Sequence, residues 1–578
     1  MPASSKTEAS RRYELVSQEK AGGATYTPQA LADFVASKIV GSAILDGRPE
    51  LRVLDPAIGD GELVLSLLRQ LAVRTNKRIV VFGFDTDPSA LREARRRIAT
   101  TFPKAELRLE EGSFLNFVVA QGIATSSLFD APEKAEFDLV IANPPYVRTQ
   151  IMGADQAQAL ASMFGLSGRV DLYHAFLMGI ARVLRPGGTT GIIVSNRFMT
   201  TKGGATVRAA LRRDMALQHI WDFGDTKLFS AAVLPAVILG HGQKGQASST
   251  PAFTSIYQTK LPAIAAATDA IEAAGMSGIV SLGDDRRFDV QQGVLDASGD
   301  AHDVWRLSTQ AGDDWLATVA RHAWGTFRDI GKVRVGVKTC ADKIFIRTDW
   351  AEFTDDARPE LLRPLITHHI AGRFRASAGK KVRAILYPHE VVQGQRRAID
   401  LAAYPKSLAY LEQHRLTLEA RTYLMDAGRQ WYELWVPQDP QAWPAPKLVF
   451  RDISERPTFW VDMDGGVVNG DCYWLPPQRG SNEDVLWLAA AVANSTFIEA
   501  FYDRRFNNKL YAGRRRFITQ YVEMFPLPNP ASEAAREMIT LAKLIHSSTD
   551  QATALKLENE LDVMVWEAFG LPVEEVGG

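Results

Sequence analysis

The chain has 578 residues, 46% of them hydrophobic and 23% charged, with a formal net charge of −1. It is too long for a single domain and its composition is that of a globular protein, so a large core can form without disulfides or metal. A balance so close to neutral does not favour a nucleic-acid partner by itself, but phosphate binding depends on local charge and not on the sum.

In chain order, residues 1 to about 24 read as a flexible polar arm with no apolar core and so no secretion signal. From 25 to 243, strands alternate with helices. Arg52-Val53-Leu54-Asp55-Pro56-Ala57-Ile58-Gly59-Asp60-Gly61 reads as a strand and a glycine-bearing turn, and Glu62 to Leu68 as the amphipathic helix that follows. Glycines in such a turn let the backbone approach a ligand at the mouth of a parallel sheet. No third glycine opens the helix, which argues against a pyrophosphate. The next strand, Ile79 to Phe84, ends in Asp85, a carboxylate placed to accept both hydroxyls of a ribose. A ligand with a nucleoside and no phosphate fits both features, and S-adenosylmethionine is such a ligand.

Leu107 and Leu139 mark two further parallel strands. The second, Phe137 to Ala142, runs into Asn143-Pro144-Pro145-Tyr146. The prolines carry no N–H and have fixed φ, so this loop is stiff. Asn143 offers an acceptor and Tyr146 a flat face, which suits a planar ring bearing an amino group. Gly191 to Val194 marks a fifth strand, and closing strands are expected near Ile220–Phe223 and Leu234–Leu239. The Gly-, Gln- and Ser-rich stretch from Gly240 to Thr250 reads as a linker. Beyond it the texture changes to short strands, tryptophans and turns. This predicts a doubly wound, mostly parallel, seven-stranded Rossmann-like α/β domain over 25–243 and a mixed α+β domain over about 251–530. A helical segment follows over 531–578.

These motifs together resemble the gamma class of amino-methylating DNA methyltransferases, the TaqI-like N6-adenine enzymes of bacterial restriction–modification systems. The resemblance runs in order from Thr25-Tyr26-Thr27-Pro28 to Pro235-Ala236-Val237. It implies that Thr27 touches the cofactor's methionine end and that Asp55, Pro56, Ala57, Ile58, Gly59 and Gly61 form the cofactor loop. It implies further that Asp85 binds the ribose, and that Ser113 and Phe114 flank the cofactor adenine. Asn143, Pro144, Pro145 and Tyr146 match the catalytic tetrad, with Asn143 and Pro145 also beside the cofactor. Asp171 to Phe176 and Leu184 to Gly188 repeat the family's helix-and-turn signature. Phe229 falls where the family puts an aromatic that sandwiches the flipped base, although it also fits a core position. One departure is Ser113, where the family usually has Asp. A weaker acceptor there should cost about 1–2 kcal/mol of cofactor affinity.

The second domain carries a fainter echo of the family's target-recognition region, in Lys332–Thr339, Leu365–Ile370 and Arg514–Leu527. Arg504, Arg505, Lys509, Arg514, Arg515 and Arg516 form a basic run with aromatic and amide residues between the charges. With Lys338 and Arg373 these are candidates for gripping double-stranded DNA, and a solvated charged face is the other reading.

Adenine's exocyclic amine is a poor nucleophile because its lone pair is delocalised into the ring. Asn143 and the Pro144 carbonyl can accept its two hydrogens and aim the lone pair at a sulfonium methyl. The target atom is inaccessible inside a duplex, so the base must be flipped out between Tyr146 and Phe229. Enzymes acting on cytosine N4 usually begin the tetrad with Ser, so Asn143 favours adenine. Cys340 and Cys472 lie outside any C-x-x-C or Pro-Cys pair, which predicts a reducing cytoplasm and no covalent cysteine chemistry. No metal-ligand constellation and no membrane-spanning run appears. A monomer is expected, and the resemblance implies a separately encoded restriction endonuclease acting on the same site. A fused nuclease is not expected, given the few residues before Thr27. Protein-glutamine and RNA methyltransferases use the same tetrad but usually lack a large second half.

Overall fold

The structure, a computed structural model, describes residues 27–574 apart from 46–47, 125–135, 147–157, 159–161, 166–170, 230–232, 244–249, 298, 300–302, 378–381, 479, 507–508 and 511–512. The expected arm over 1–24 and most of the expected linker lie outside the described residues. Two compact units are present: one runs through Gln310 and takes in Leu510–Gly513, and the other begins at Ala311.

The first unit is built on one sheet. Strands β1 (Glu50–Asp55), β2 (Arg78–Asp85), β3 (Glu106–Glu111), β4 (Phe137–Ala142), β5 (Leu184–Ser195), β6 (Met215–Asp222) and β7 (Pro235–Gly242) lie in the order β3-β2-β1-β4-β5-β7-β6. Neighbours from β3 to β5 are parallel, and β7 is antiparallel to both β5 and β6. These are the seven expected strands in a doubly wound, mostly parallel arrangement.

β4 sits at the centre with every residue buried. Its one charge, Asp138, is matched by the Arg52 N–H at 2.8 Å and by the Arg185 guanidinium, so the strand carries a carboxylate without leaving it unpaired. Side chains alternate between two cores. Leu139 and Ile141 pack with helices α1 (Gln29–Ser42), α2 (Glu62–Ala72) and α3 (Pro88–Thr101) on one face. Val140 and Ala142 pack with α4 (Phe114–Ala124), α5 (Leu172–Val183) and α6 (Ala205–Asp214) on the other.

The sheet does not stop at β7. β8 (Ala252–Gln258) pairs in parallel with β6, Ile220 opposite Phe253, and β9 (Ala265–Ala266), β10 (Gly278–Ser281), β11 (Arg287–Asp296) and β12 (Arg306–Ser308) extend it to twelve strands. The boundary expected at 243–251 therefore falls inside one sheet, and the Gly-rich stretch connects β7 to β8 rather than two domains. The physical reason is the exposed edge that β6 would otherwise present, which β8 covers.

The second unit is mixed α+β. Arg334–Val335, Cys472–Leu475, Lys447–Arg451 and Phe459–Asp462 form a four-stranded sheet over a core that includes Trp443, Trp460 and Trp474. The C-terminal helix Gln551–Ala568 places Trp566 against Phe497, with ring centroids 5.5 Å apart. Among the described residues no single helix is long and apolar enough to cross a membrane.

Candidate cofactor and substrate site

The chain order of the sheet reverses between β1 and β4, and at such a point the two flanking loops open a crevice at the strands' carboxyl ends. Asp55 closes β1 and is fully buried. Its Oδ1 accepts the Ala57 N–H at 3.1 Å, while Oδ2 is buried with no partner. Burial, with lesser contributions from the Asp85 and Asp60 charges, pushes its pKa up to about 8. The turn that follows is left-handed at Gly59 (φ 52°) and Gly61 (φ 86°), a conformation that favours glycine. A Cβ on Gly61 would also lie 3.3 Å from Ala94 of α3.

Asp85 ends β2 and ties this loop down: Oδ2 accepts the Gly59 N–H and Oδ1 the Asp87 N–H, both at 2.9 Å. The acid expected to meet a ribose thus also fixes the glycine turn. Each carboxylate oxygen can accept more than one hydrogen bond, so the two roles are compatible. Ser113 Oγ accepts the Leu115 N–H at 3.2 Å, at the start of α4. Phe114 corrects an expectation. It has no exposed surface and packs between Phe84 and Phe176 at centroid distances of 5.9 and 5.7 Å, so its ring is a core element and does not face a cofactor.

Across the crevice, Asn143 Nδ2 donates to Thr27 Oγ1 at 3.0 Å, and Tyr146 Oη donates to Asn143 Oδ1 at 3.0 Å. Thr27, just before α1, and the tetrad at the end of β4 are thereby brought together although 116 residues separate Thr27 from Asn143. Tyr146 meets Tyr173 of α5 edge-on at 6.0 Å, and Tyr173 meets His174 at 4.4 Å. His174 is buried with both ring nitrogens unpartnered, and burial pushes its pKa down to about 4, holding it neutral. Phe229 is not brought to Tyr146. It is 5% exposed and belongs to the core on the opposite face of the sheet, the alternative its position had left open.

A second polar cluster went unnoticed in the sequence. Asp222, at the end of β6, accepts from Asn196 Nδ2 (3.0 Å) and the Gly224 N–H (3.0 Å) at Oδ1, and from Tyr257 Oη (2.7 Å) at Oδ2. All three side chains are buried, and burial pushes the Asp222 pKa up to about 6. The polar pair Ser195-Asn196 closing the apolar run of β5 was a signal for Asn196. Tyr257 had none, because its strand was assigned to another domain.

The expected DNA-gripping cations are mostly committed elsewhere. Arg515 is 1% exposed, bonded to Asp503 at 2.8 Å through two nitrogens and to Glu499 at 3.2 Å. Arg516 pairs with Asp452, Arg504 with Glu574, Lys509 with Asp503 and Arg373 with Glu558. Arg505 is half-buried, whereas Arg514 and Lys338 are exposed. The run is therefore chiefly an ion-pair network, sealed at Arg515 and partly exposed at Arg504 and Arg516. Counting cations in sequence missed the acids that fold against them.

Residues 80–229 match the Eco57I restriction-modification methylase family, and residues 402–527 match the TaqI-like C-terminal specificity domain. The Arg514–Leu527 echo lies within the second match, and the other two segments lie before it. The chain is 38% identical to the type II methyltransferase M.BanIII of Aneurinibacillus aneurinilyticus, over 96% of this chain and 98% of that protein. It is 27% identical to the type II methyltransferase M.XhoI of Xanthomonas vasicola, over 89% of this chain and 93% of that one. Among solved structures, that of the DrdV–DNA complex is similar at a TM-score of 0.52 and 11% identity, over 93% of this chain and 58% of that chain. With 38% identity sustained across nearly all of both chains, the protein belongs to the type II DNA methyltransferases of restriction–modification systems.

Proposed function

We propose that this methyltransferase uses S-adenosylmethionine to methylate the N6 amine of an adenine flipped out of duplex DNA, protecting its site from a cognate endonuclease. The observation that carries the reading is the Asn143 amide held at both ends, by Thr27 and by Tyr146. A fixed amide oxygen and the neighbouring Pro144 carbonyl suit the two hydrogens of a planar amine. Accepting them favours a pyramidal nitrogen with its lone pair aimed along one axis. Tyr146 offers a ring face for the base.

The residues at the crevice fit the cofactor. The unpartnered Asp55 Oδ2 is an acceptor suited to a cationic ligand end, and Asp85 can accept ribose hydroxyls while holding the glycine turn. Thr27 and Ser113 complete the set. When bound, S-adenosylmethionine supplies the electrophilic methyl, and these residues hold and orient it. No base is needed before attack, because the amine proton becomes acidic only once the methyl is on.

A protein-glutamine or RNA methyltransferase would use the same tetrad. The specificity-domain match over 402–527 favours DNA, and Asn143 at the head of the tetrad favours adenine over cytosine N4. The test is to incubate the protein with methyl-labelled S-adenosylmethionine and mixed-sequence duplex DNA, then digest to nucleosides for mass spectrometry. Label in N6-methyldeoxyadenosine is expected. Label in methylcytosine, or none in DNA, would overturn the reading.

A further inference from the structure

With the 504–516 cations largely paired to carboxylates, another surface of the second unit has the chemistry for phosphates. His389–Val392 and Gln395–Ala398 form a two-stranded antiparallel ribbon, turned at Gln393 and Gly394 with φ 51° and 75°. Gln395, Arg396 and Arg397 along it are exposed. Arg396 Nη1 donates to the Gln438 carbonyl at 3.1 Å, and Arg397 Nε donates to Glu390 at 3.0 Å. Those bonds engage one nitrogen of each guanidinium, a group with five donors.

A cavity of about 890 Å³ lies against the ribbon, lined by three cations, Arg396, Arg397 and Arg429, and by two carboxylates, Asp400 and Glu433, with Tyr432 and His389 beside them. His389 is 1% exposed, and its Nε2 accepts the Leu434 N–H at 3.0 Å. A neutral ring that accepts at Nε2 carries its proton on Nδ1. Nδ1 is buried and turns to the backbone of Arg397 in the ribbon, while the Glu433 carboxylate, 3.9 Å away, is held by Arg429 at 2.8 Å. The donors this surface offers are therefore the remaining guanidinium N–H groups of the exposed Arg396 and Arg397, which suit an anion. The cavity-lining Arg429 also lies over the Trp435 ring at 6.0 Å, and the next residue, Val436, pairs by its backbone with Lys338 in both directions at 2.9 Å and leaves the lysine side chain exposed. Next to it Trp435 and Tyr423, each 39% exposed, meet edge-to-face at 4.8 Å. Cations interleaved with exposed aromatics form a surface suited to nucleic acid.

We infer that this ribbon and the cavity behind it receive backbone phosphates of duplex DNA, with Arg396 and Arg397 as the principal contacts and Lys338 and Trp435 extending the track. The inference rests on the DNA reading above and adds where the second unit holds it. The test compares the full-length wild type with the double variant Arg396→Ala/Arg397→Ala, by fluorescence anisotropy on labelled duplex DNA over a salt series. The double variant should bind more than tenfold more weakly at low salt, and the slope of log affinity against log salt should shrink by about two. Calorimetric binding of S-adenosylmethionine should not change. If the double variant is poorly folded, Arg396→Gln, which keeps a donor for the Gln438 carbonyl, should lower the slope by about one. Wild type that binds no duplex at any salt removes the DNA reading and this inference with it. Wild type that binds, with both variants equal to it in slope, removes this inference alone.

Discussion

Tyr146 fixes the orientation of Asn143: its hydroxyl donates to Oδ1 at 3.0 Å, while Nδ2 donates to Thr27 Oγ1 at the same distance. Both partners are hydroxyls able to donate or accept, so together they hold the plane of the amide, and with the oxygen on the tyrosine side Tyr146 donates and Thr27 accepts. Burial raises the Tyr146 pKa well above the ordinary phenol range, so the hydroxyl stays a donor at any working pH. The side chain expected as a stacking surface is therefore also a clamp on the Asn143 amide.

Tyr146→Phe keeps the ring and removes the clamp. Loss of one buried hydrogen bond is worth about 1–3 kcal/mol, so single-turnover methyl transfer should slow about ten- to a hundredfold with little change in DNA affinity. Asn143→Ala should lower it further, below detection. A Phe variant at the wild-type rate would show that the amide holds its position without Tyr146.

Asp55 is expected to link cofactor binding to pH. Its pKa of about 8 means it is mostly protonated at neutral pH in the free protein, and a cationic ligand end favours the carboxylate. Affinity for S-adenosylmethionine should rise with pH by up to about tenfold per unit below 8 and level off above it, with proton release seen as a buffer-dependent heat. Stability runs the other way. A folded-state pKa above the unfolded one gives a contribution fully present below about 4 and lost as pH rises through about 8. Asp55→Asn should flatten both profiles and weaken the cofactor. A pH-independent affinity in the wild type would remove Asp55 from the cofactor's cationic end.

Local signals in the sequence were enough to place the residues of the crevice. Asp55 and Asp85 each end an apolar strand and Asn143 follows one, and parallel pairing places such residues on one edge. What could not be read was packing. Phe114 and Phe229 occupy motif positions, yet their burial depends on neighbours from α5 and from the opposite face of the sheet. Arg515 looked like a free cation because Glu499 and Asp503, 16 and 12 residues before it, turn toward it only when the helix Thr496–Phe506 forms. The continuation of the sheet into β8 was hidden by a linker-like composition that reports chain flexibility and not strand pairing.

Tyr257→Phe tests the cluster at the end of β6. It removes the donor at 2.7 Å from Asp222 Oδ2 and leaves a buried carboxylate oxygen unsatisfied, at a cost of about 1–3 kcal/mol. Thermal melting should move down by several degrees at pH 8. The loss should be smaller at pH 5, where an Asp222 pKa of about 6 leaves the carboxyl mostly protonated. An equal loss at both values would assign the effect to packing of the ring.

Ser113→Asp restores the acid usual in the resembling family. Asp caps helices as well as Ser does, so the bond to the Leu115 N–H should survive and α4 should not suffer. A charge-assisted acceptor for an adenine amino group should then tighten S-adenosylmethionine several-fold by calorimetry. Weaker binding by a folded variant would place this loop away from the cofactor adenine.

Arg514→Ala and Arg515→Ala separate surface from core within one basic run. Arg514 is exposed, and its loss should leave stability within about 0.5 kcal/mol. Arg515 holds Asp503 and Glu499 in a buried cluster, where Lys509 also reaches Asp503 at 3.0 Å and Arg456 approaches Glu499 at 3.7 Å. Removing the central guanidinium leaves two carboxylates with partial partners, so a loss of about 3–5 kcal/mol is expected, seen as a lower urea midpoint for the second unit. The salt slope of DNA binding, measured where the variant is still folded, should match the wild type for Arg515→Ala, because a side chain sealed from solvent releases no counterions. A normal urea midpoint together with a slope reduced by about one would mean that the Arg515 side chain faces the phosphates after all.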